Sequence, residues 1–144
     1  MQEDENLSDV SARLSARVNQ SCFVCGMDNP RGLRLVFEKG ENGEMSAQWI
    51  PDRSTEGFDG IVHGGLVGTV LDESMAKAVT ASGAEALTAE LRVRFRRHVV
   101  AGAALRVCGW ITETKKRKIC AEATLTDADG SELAHAWAAF LVLK

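Results

Sequence analysis

Asp72 sits on the apolar side of the helix that carries it. Leu66 to Ser82 has no Pro, is rich in Val, Leu, Met and Ala, and stops before Gly83, a pattern that predicts a helix with a Gly terminator. At about 100° per residue, Leu66, Val67, Val70, Leu71, Met75, Ala78, Val79 and Ala81 share one broad arc. Thr69, Glu73, Lys77 and Thr80 form a narrow polar stripe. Glu73 and Lys77 stand four apart in the favourable order for an ion pair and need no further role. Asp72 lies off that stripe, beside Gly68, Thr69, Met75 and Ala76. A carboxylate among apolar groups costs free energy unless it is hydrogen-bonded, paired or kept for chemistry. A structural bond to backbone or to Thr69 is the plain alternative to a general base.

His63-Gly64-Gly65 stands where this helix begins, nine residues before Asp72. The first N–H groups of a helix lack internal partners, and the dipole there favours negative charge. Paired glycines let a ligand approach the backbone closely. Such a start can hold an oxyanion or polarise a carbonyl. A tight loop-to-helix entry is the alternative for a bare Gly-Gly.

The other chemically suggestive residues have simpler explanations. Cys22-x-x-Cys25-Gly26 has the spacing of half a zinc site, but no second half follows, since Cys108 and Cys120 stand singly on strands. Structural or incidental cysteines are expected. His63, His98 and His135 are too scattered for a metal site, so no metal and no cofactor are expected. Arg92, Arg94, Arg96 and Arg97 line one stretch, and Lys115 to Lys118 make a charged hairpin tip. A solvated face and a blunted edge explain most of them. A cradle for phosphates is the functional alternative. Trp49, Trp110 and Trp137 read as core or interface residues.

The elements that must position these groups follow from periodicity. A short amphipathic helix is predicted over about Ser8–Val18, a strand over Leu33–Glu38, a turn at Glu41-Asn42-Gly43 and a return strand over Met45–Ile50. Pro51 to Gly60 reads as a polar loop. After the long helix the period changes to 2. Leu87, Ala89, Leu91, Val93 and Phe95 alternate with Thr88, Glu90, Arg92, Arg94 and Arg96. Strands over Leu105–Thr112, Ile119–Thr126 and Ser131–Leu143 complete the chain, the last apolar on both sides and so central or at an interface. Short turns imply an antiparallel sheet. One helix covers one face only, so an oligomer is expected.

With 144 residues, 45% of them hydrophobic, the chain makes one domain with a real core. The expected division is a tail and short helix over 1–20 and the main domain over 21–144. Acids outnumber bases by 20 to 17, which argues against nucleic acid as partner. No run nears the roughly 18 apolar residues of a membrane span. The acidic MQEDENLSDV start is unlike an export signal, so a cytoplasmic protein is expected.

His63-Gly64-Gly65, the following Leu66 to Asp72 and the alternating strands resemble the hotdog-fold acyl-CoA thioesterases, most closely the phenylacetyl-CoA thioesterase-type branch (4-hydroxybenzoyl-CoA thioesterase-like), from about Leu33 to Leu143. The resemblance implies an α+β hotdog fold, with an antiparallel sheet wrapped around one long helix. It implies a homodimer or homotetramer with active sites between subunits, and hydrolysis of an acyl-CoA to a free acid and coenzyme A. By this likeness the Gly64 N–H polarises the thioester carbonyl. Asp72 of the opposite subunit acts as general base or attacking carboxylate, and His63 orients the carbonyl or the loop. Thr88 matches a family Ser that positions Asp and water. Gly65, Gly57 and Asp59 would border the substrate, with Arg94 and Arg96 near the coenzyme A phosphates. In one respect the chain departs from its family, which often has an Asn six residues before the His. Gly57 stands there, and nearby Asp59 cannot donate a hydrogen bond while ionised. A non-catalytic acyl-CoA-binding hotdog protein is the alternative from another class.

Overall fold

The computed structural model describes residues 19–143. The helix expected at Ser8–Val18 lies outside the described residues. Within them the order is β1 (Glu38–Lys39), β2 (Met45–Trp49), β3 (Glu56–Phe58), β4 (Ile61–Val62), α1 (Gly64–Ala81), β5 (Ala86–Phe95), β6 (Leu105–Lys115), β7 (Lys118–Thr126) and β8 (Glu132–Val142). Six strands form one sheet in the order β1-β2-β6-β7-β8-β5, antiparallel throughout. Helix α1 crosses one face, packed most heavily on β6. This is the α+β hotdog architecture that the resemblance implies. β8 is central, between β7 and β5, as its apolar character on both sides requires.

Small side chains on the inner face let the sheet close around the helix. Ala121 and Ala123 on β7 and Ala134, Ala136 and Ala138 on β8 are all buried. Leu71, Met75, Leu105, Leu125 and Phe140 fill the remaining volume. The tightest approach is at Gly109 on β6. A Cβ there would lie 2.5 Å from the Ser74 carbonyl carbon and 2.7 Å from the Met75 nitrogen. Backbone on backbone leaves no room for a methyl group.

Two expectations are corrected. The strand predicted over Leu33–Glu38 joins the sheet only at Glu38–Lys39. Upstream, the Leu33 and Leu35 N–H groups donate to the Phe23 and Val24 carbonyls, both at 2.8 Å. That stretch pairs with the cysteine-bearing lead-in instead. The loop predicted over Pro51–Gly60 contains a 3-10 turn, Arg53–Thr55, and then β3, which pairs with β4.

The outer face carries aromatic and charged groups. The Arg92 guanidinium lies 4.4 Å from the Trp137 ring centre. His135 sits between Glu122 at 2.8 Å and Glu132 at 3.1 Å. Among the described residues β5 pairs with β8 alone, so its other edge is free there. Leu87, Leu91 and Phe95 along it are exposed.

Candidate active site

His63 caps α1 with its own ring. Its Nδ1 accepts the Gly65 N–H at 2.9 Å, so a neutral ring carries its proton on Nε2 as a free donor. The Leu66 and Val67 N–H groups both donate to the His63 carbonyl. The His63 N–H donates to the Thr55 carbonyl at 2.8 Å, tying the helix start to the loop before β3. The exposed Gly64 N–H has no acceptor among the described residues. It is the one first-turn donor left for a ligand. Gly57 makes room for the cap: a Cβ there would lie 3.1 Å from His63 Cα and 3.3 Å from its Cδ2. The ring packs where a larger residue at 57 would project.

Asp72 is half-buried and has one hydrogen-bond partner among the described residues. Thr88 Oγ1 donates to its Oδ1 at 2.9 Å. Burial raises the Asp72 pKa above the ordinary carboxylate value. The Thr88 bond opposes the shift and the neighbouring Glu73 charge adds to it. Thr69, the alternative partner, donates instead to the Gly65 carbonyl at 2.8 Å. Strict alternation along β5 would turn Thr88 away from the helix. A bulge prevents this. Thr88 pairs with Phe140 and Glu90 with Ala139, leaving Ala89 as the extra residue. The bulge reverses the faces, so Thr88 shares the inner side with Leu91, Val93 and Phe95.

Gly64 and Asp72, though not His63 or Thr88, border one cleft of about 520 Å³ between α1 and β5. Gly64, Gly65, Gly68, Thr69 and Asp72 form one wall, and Leu91, Val93 and Phe95 the other. The helix rise puts Gly64 and Asp72, eight residues apart, about 12 Å from each other along the axis. A carboxylate cannot span that distance, so one chain's Gly64 N–H and its own Asp72 do not meet at a single carbonyl.

The other predicted residues are placed differently. Asp59 is exposed between β3 and β4. Arg94 is in register with His135 on the face turned away from α1. Arg96 pairs with Glu132, and with Arg97, His98, Phe58 and Phe95 it lines a second cleft of about 350 Å³ that also reaches Gly64. Arg97, one of the arginines the sequence offered as a phosphate cradle, thus shares a cleft with the helix start, as does His98, to which the sequence gave no binding role. A larger cleft, about 590 Å³, runs along Arg92, Lys118 and Trp137 and contains none of the helix-start residues.

On the other flank of α1, Cys22 Sγ lies 3.7 Å from Glu73 Oε1. Lys77 Nζ lies 3.9 Å from the same oxygen, the ion pair expected from the sequence. Burial pushes the Cys25 thiol up to about 11. The Cys22 hydrogen bond adds to the rise and Lys77 opposes it.

The family model of the Thioesterase superfamily matches residues 59–134, more than half of the chain, and the chain belongs to that superfamily. A thioesterase superfamily protein of known structure aligns at 21% identity over 94% of this chain and 78% of its own, with a TM-score of 0.82. A phenylacetic acid degradation-related protein of Ralstonia eutropha aligns at 26% identity over 96% of this chain and 100% of its own, with a TM-score of 0.72. A Streptococcus mutans protein bound to acetyl-CoA aligns at 18% identity over 75% of this chain and 87% of its own, with a TM-score of 0.71. No curated protein matches the chain. Among the described residues no helix is long and apolar enough to cross a membrane.

Proposed function

We propose that this protein hydrolyses an acyl-CoA thioester to a carboxylic acid and coenzyme A, at sites shared between two copies of the chain. The observation that carries this reading is the pairing, in one cleft, of a helix start with an unengaged Gly64 N–H and a half-buried Asp72 whose single partner is Thr88. A thioester is already activated, so the protein need only stabilise charge on oxygen and deliver water. One oxyanion donor contributes about 2.7–4 kcal/mol, and a general base roughly 10²–10⁴-fold.

In this reading the Gly64 N–H takes the thioester carbonyl and His63 Nε2–H supplies a second donor, offsetting the absence of an Asn at Gly57. Asp72 removes the proton from an attacking water, and Thr88 holds the carboxylate in place. The hydroxide oxygen bonds to the acyl carbon, the C–S bond breaks, and the thiolate leaves as coenzyme A. Leu91, Val93 and Phe95 line the acyl side. Arg97, His98 and Arg96, around the adjoining cleft, take the coenzyme A phosphates. The separation of about 12 Å along one helix supports the expectation that Asp72 serves the partner's Gly64. The free β5 edge, with Leu91 and Phe95 exposed, is the surface for that pairing.

Thiol release from a panel of acyl-CoAs tests the reaction, and mixed subunits test the shared site. Gly64→Pro removes the N–H, at a helix position where Pro is tolerated, and adds a ring whose Cβ would lie 3.4 Å from Phe95 Cζ. Each of Gly64→Pro and Asp72→Asn alone is expected to be nearly inactive. When the two are unfolded and refolded together, a shared site regains up to about a quarter of native turnover, from one intact site in each mixed dimer. No recovery would place the complete site within one chain. A chain that gains thermal stability with acyl-CoA but releases no thiol from any of them would be a binding protein, the reading that Gly57 favours.

A further inference from the structure

We propose that Cys22, Cys25 and Glu73 form a binding site for a thiophilic divalent cation, with Zn²⁺ the fitting ion and water its fourth ligand. The two Sγ atoms and a Glu73 carboxylate oxygen all lie within 4.8 Å of one another. Zn–S bonds of about 2.3 Å and Zn–O bonds of about 2.0–2.2 Å at tetrahedral angles put ligand atoms roughly 3.5–3.8 Å apart. The Cys22 Sγ to Glu73 Oε1 distance, 3.7 Å, already has that value.

The sequence offers two ligands and no third beside them; the fold supplies the third from α1, 48 positions beyond Cys25. The lead-in is stitched in place before any ion arrives. The Gly26 N–H donates to the Cys22 carbonyl at 2.9 Å, and the Asp28 N–H to the Gln20 carbonyl at 3.0 Å. Gly26 is required by this turn: a Cβ would lie 2.3 Å from the Gln20 carbonyl oxygen and 2.4 Å from the Cys22 nitrogen. The ligands are therefore held by packing and backbone bonds, as a preorganised site needs. All three are half-buried, which leaves an entry path and room for water.

The charges also balance. Binding releases the two thiol protons, and two thiolates with one carboxylate around a dication leave a net charge of −1. Lys77 Nζ, 3.9 Å from Glu73 Oε1, supplies the compensating charge. The cation would join the lead-in to α1 next to the helix turn that carries Asp72, so its role is to fix that helix rather than to act on substrate. This site is independent of the proposed hydrolysis, and it runs against the expectation, from the sequence, that no metal is bound.

The full chain, purified with Zn²⁺ present and dialysed, is expected to retain one zinc per chain by elemental analysis. The Cys22→Ser/Cys25→Ser double variant is expected to retain none. Replacing Zn²⁺ by Co²⁺ in the native chain is expected to give the intense thiolate-to-cobalt absorption band, which Glu73→Gln weakens. This readout needs no double variant that folds. A strong chelator is expected to lower the melting temperature of the native chain and to leave that of the double variant unchanged. Three results would each overturn the proposal: a native chain without metal and without the cobalt band, zinc retained by a folded double variant, or a Cys22–Cys25 disulfide, two mass units lighter, in protein purified with Zn²⁺.

Discussion

Asp72 and Glu73 are consecutive carboxylates on one helix, and the fold treats them in opposite ways. Asp72 opens onto a cleft between α1 and the free edge strand β5, with one hydroxyl as partner. Glu73 lies beneath a stitched lead-in with a thiol at 3.7 Å and an ammonium at 3.9 Å. A rotation of about 100° separates a group open to a cleft from a group covered and engaged. Asp72 is disfavoured in its charged form by burial, while Glu73 has a cation beside it. The comparison shows that the loop or strand packed over each helix flank, more than residue type, decides what a carboxylate on that helix can do.

The largest expected effect separates the two flanks by readout. Asp72→Asn is expected to reduce turnover by about 10²–10⁴-fold in steady-state thiol release. Its effect on stability has the opposite sign. Because the folded-state pKa of Asp72 is raised, this group favours the fold below its unfolded pKa. That contribution is lost as pH rises through the folded value. Above it, the amide removes an unfavourable buried charge, so the melting temperature holds or rises. A folded Asp72→Asn variant with native turnover would end the distinction between the flanks. Next in size is Gly109→Ala, where the new methyl group meets the Ser74 and Met75 backbone. Overpacking of this kind costs about 1–3 kcal/mol, read in chemical denaturation. It also displaces α1 and so disturbs both carboxylates together.

The sequence made the core of this arrangement legible. An apolar arc interrupted by Asp72, a bare Gly-Gly helix start and period-2 strands were enough for the sheet-around-helix architecture. What it concealed was long-range. Glu73 and Lys77 satisfy each other on a helical wheel, and nothing in their spacing brings Cys22 and Cys25 to them. Strand alternation put Thr88 on the arginine side, because a one-residue bulge at Ala89 leaves no local signature in a run of ordinary strand formers. The lead-in pairing of Leu33 and Leu35 read as a sheet strand because their alternation is real, although their backbone partners are Phe23 and Val24.

A smaller effect is expected at the helix start. His63→Ala removes the ring that accepts the Gly65 N–H. Loss of a cap costs about 1 kcal/mol, measurable as a lower melting temperature. If His63 Nε2–H also contacts the carbonyl, turnover falls further than the loss of stability explains, in assays run well below the melting transition.

Thr88→Val gives the smallest expected effect and tests the Asp72 flank most specifically. The valine keeps the shape of threonine and removes the one hydrogen bond to Asp72. That bond lowers the Asp72 pKa against burial and the Glu73 charge, so without it the value rises further. In the proposed reaction turnover requires the ionised form, so the acidic limb of the pH–rate profile is expected to move to higher pH. The loss is then largest at the acid end and least on the alkaline plateau. The altered pKa also gives stability the opposite dependence: the fold loses more as pH rises through the new, higher value. An equal loss of rate at every pH would mean that Thr88 acts on substrate or water and not through the charge of Asp72.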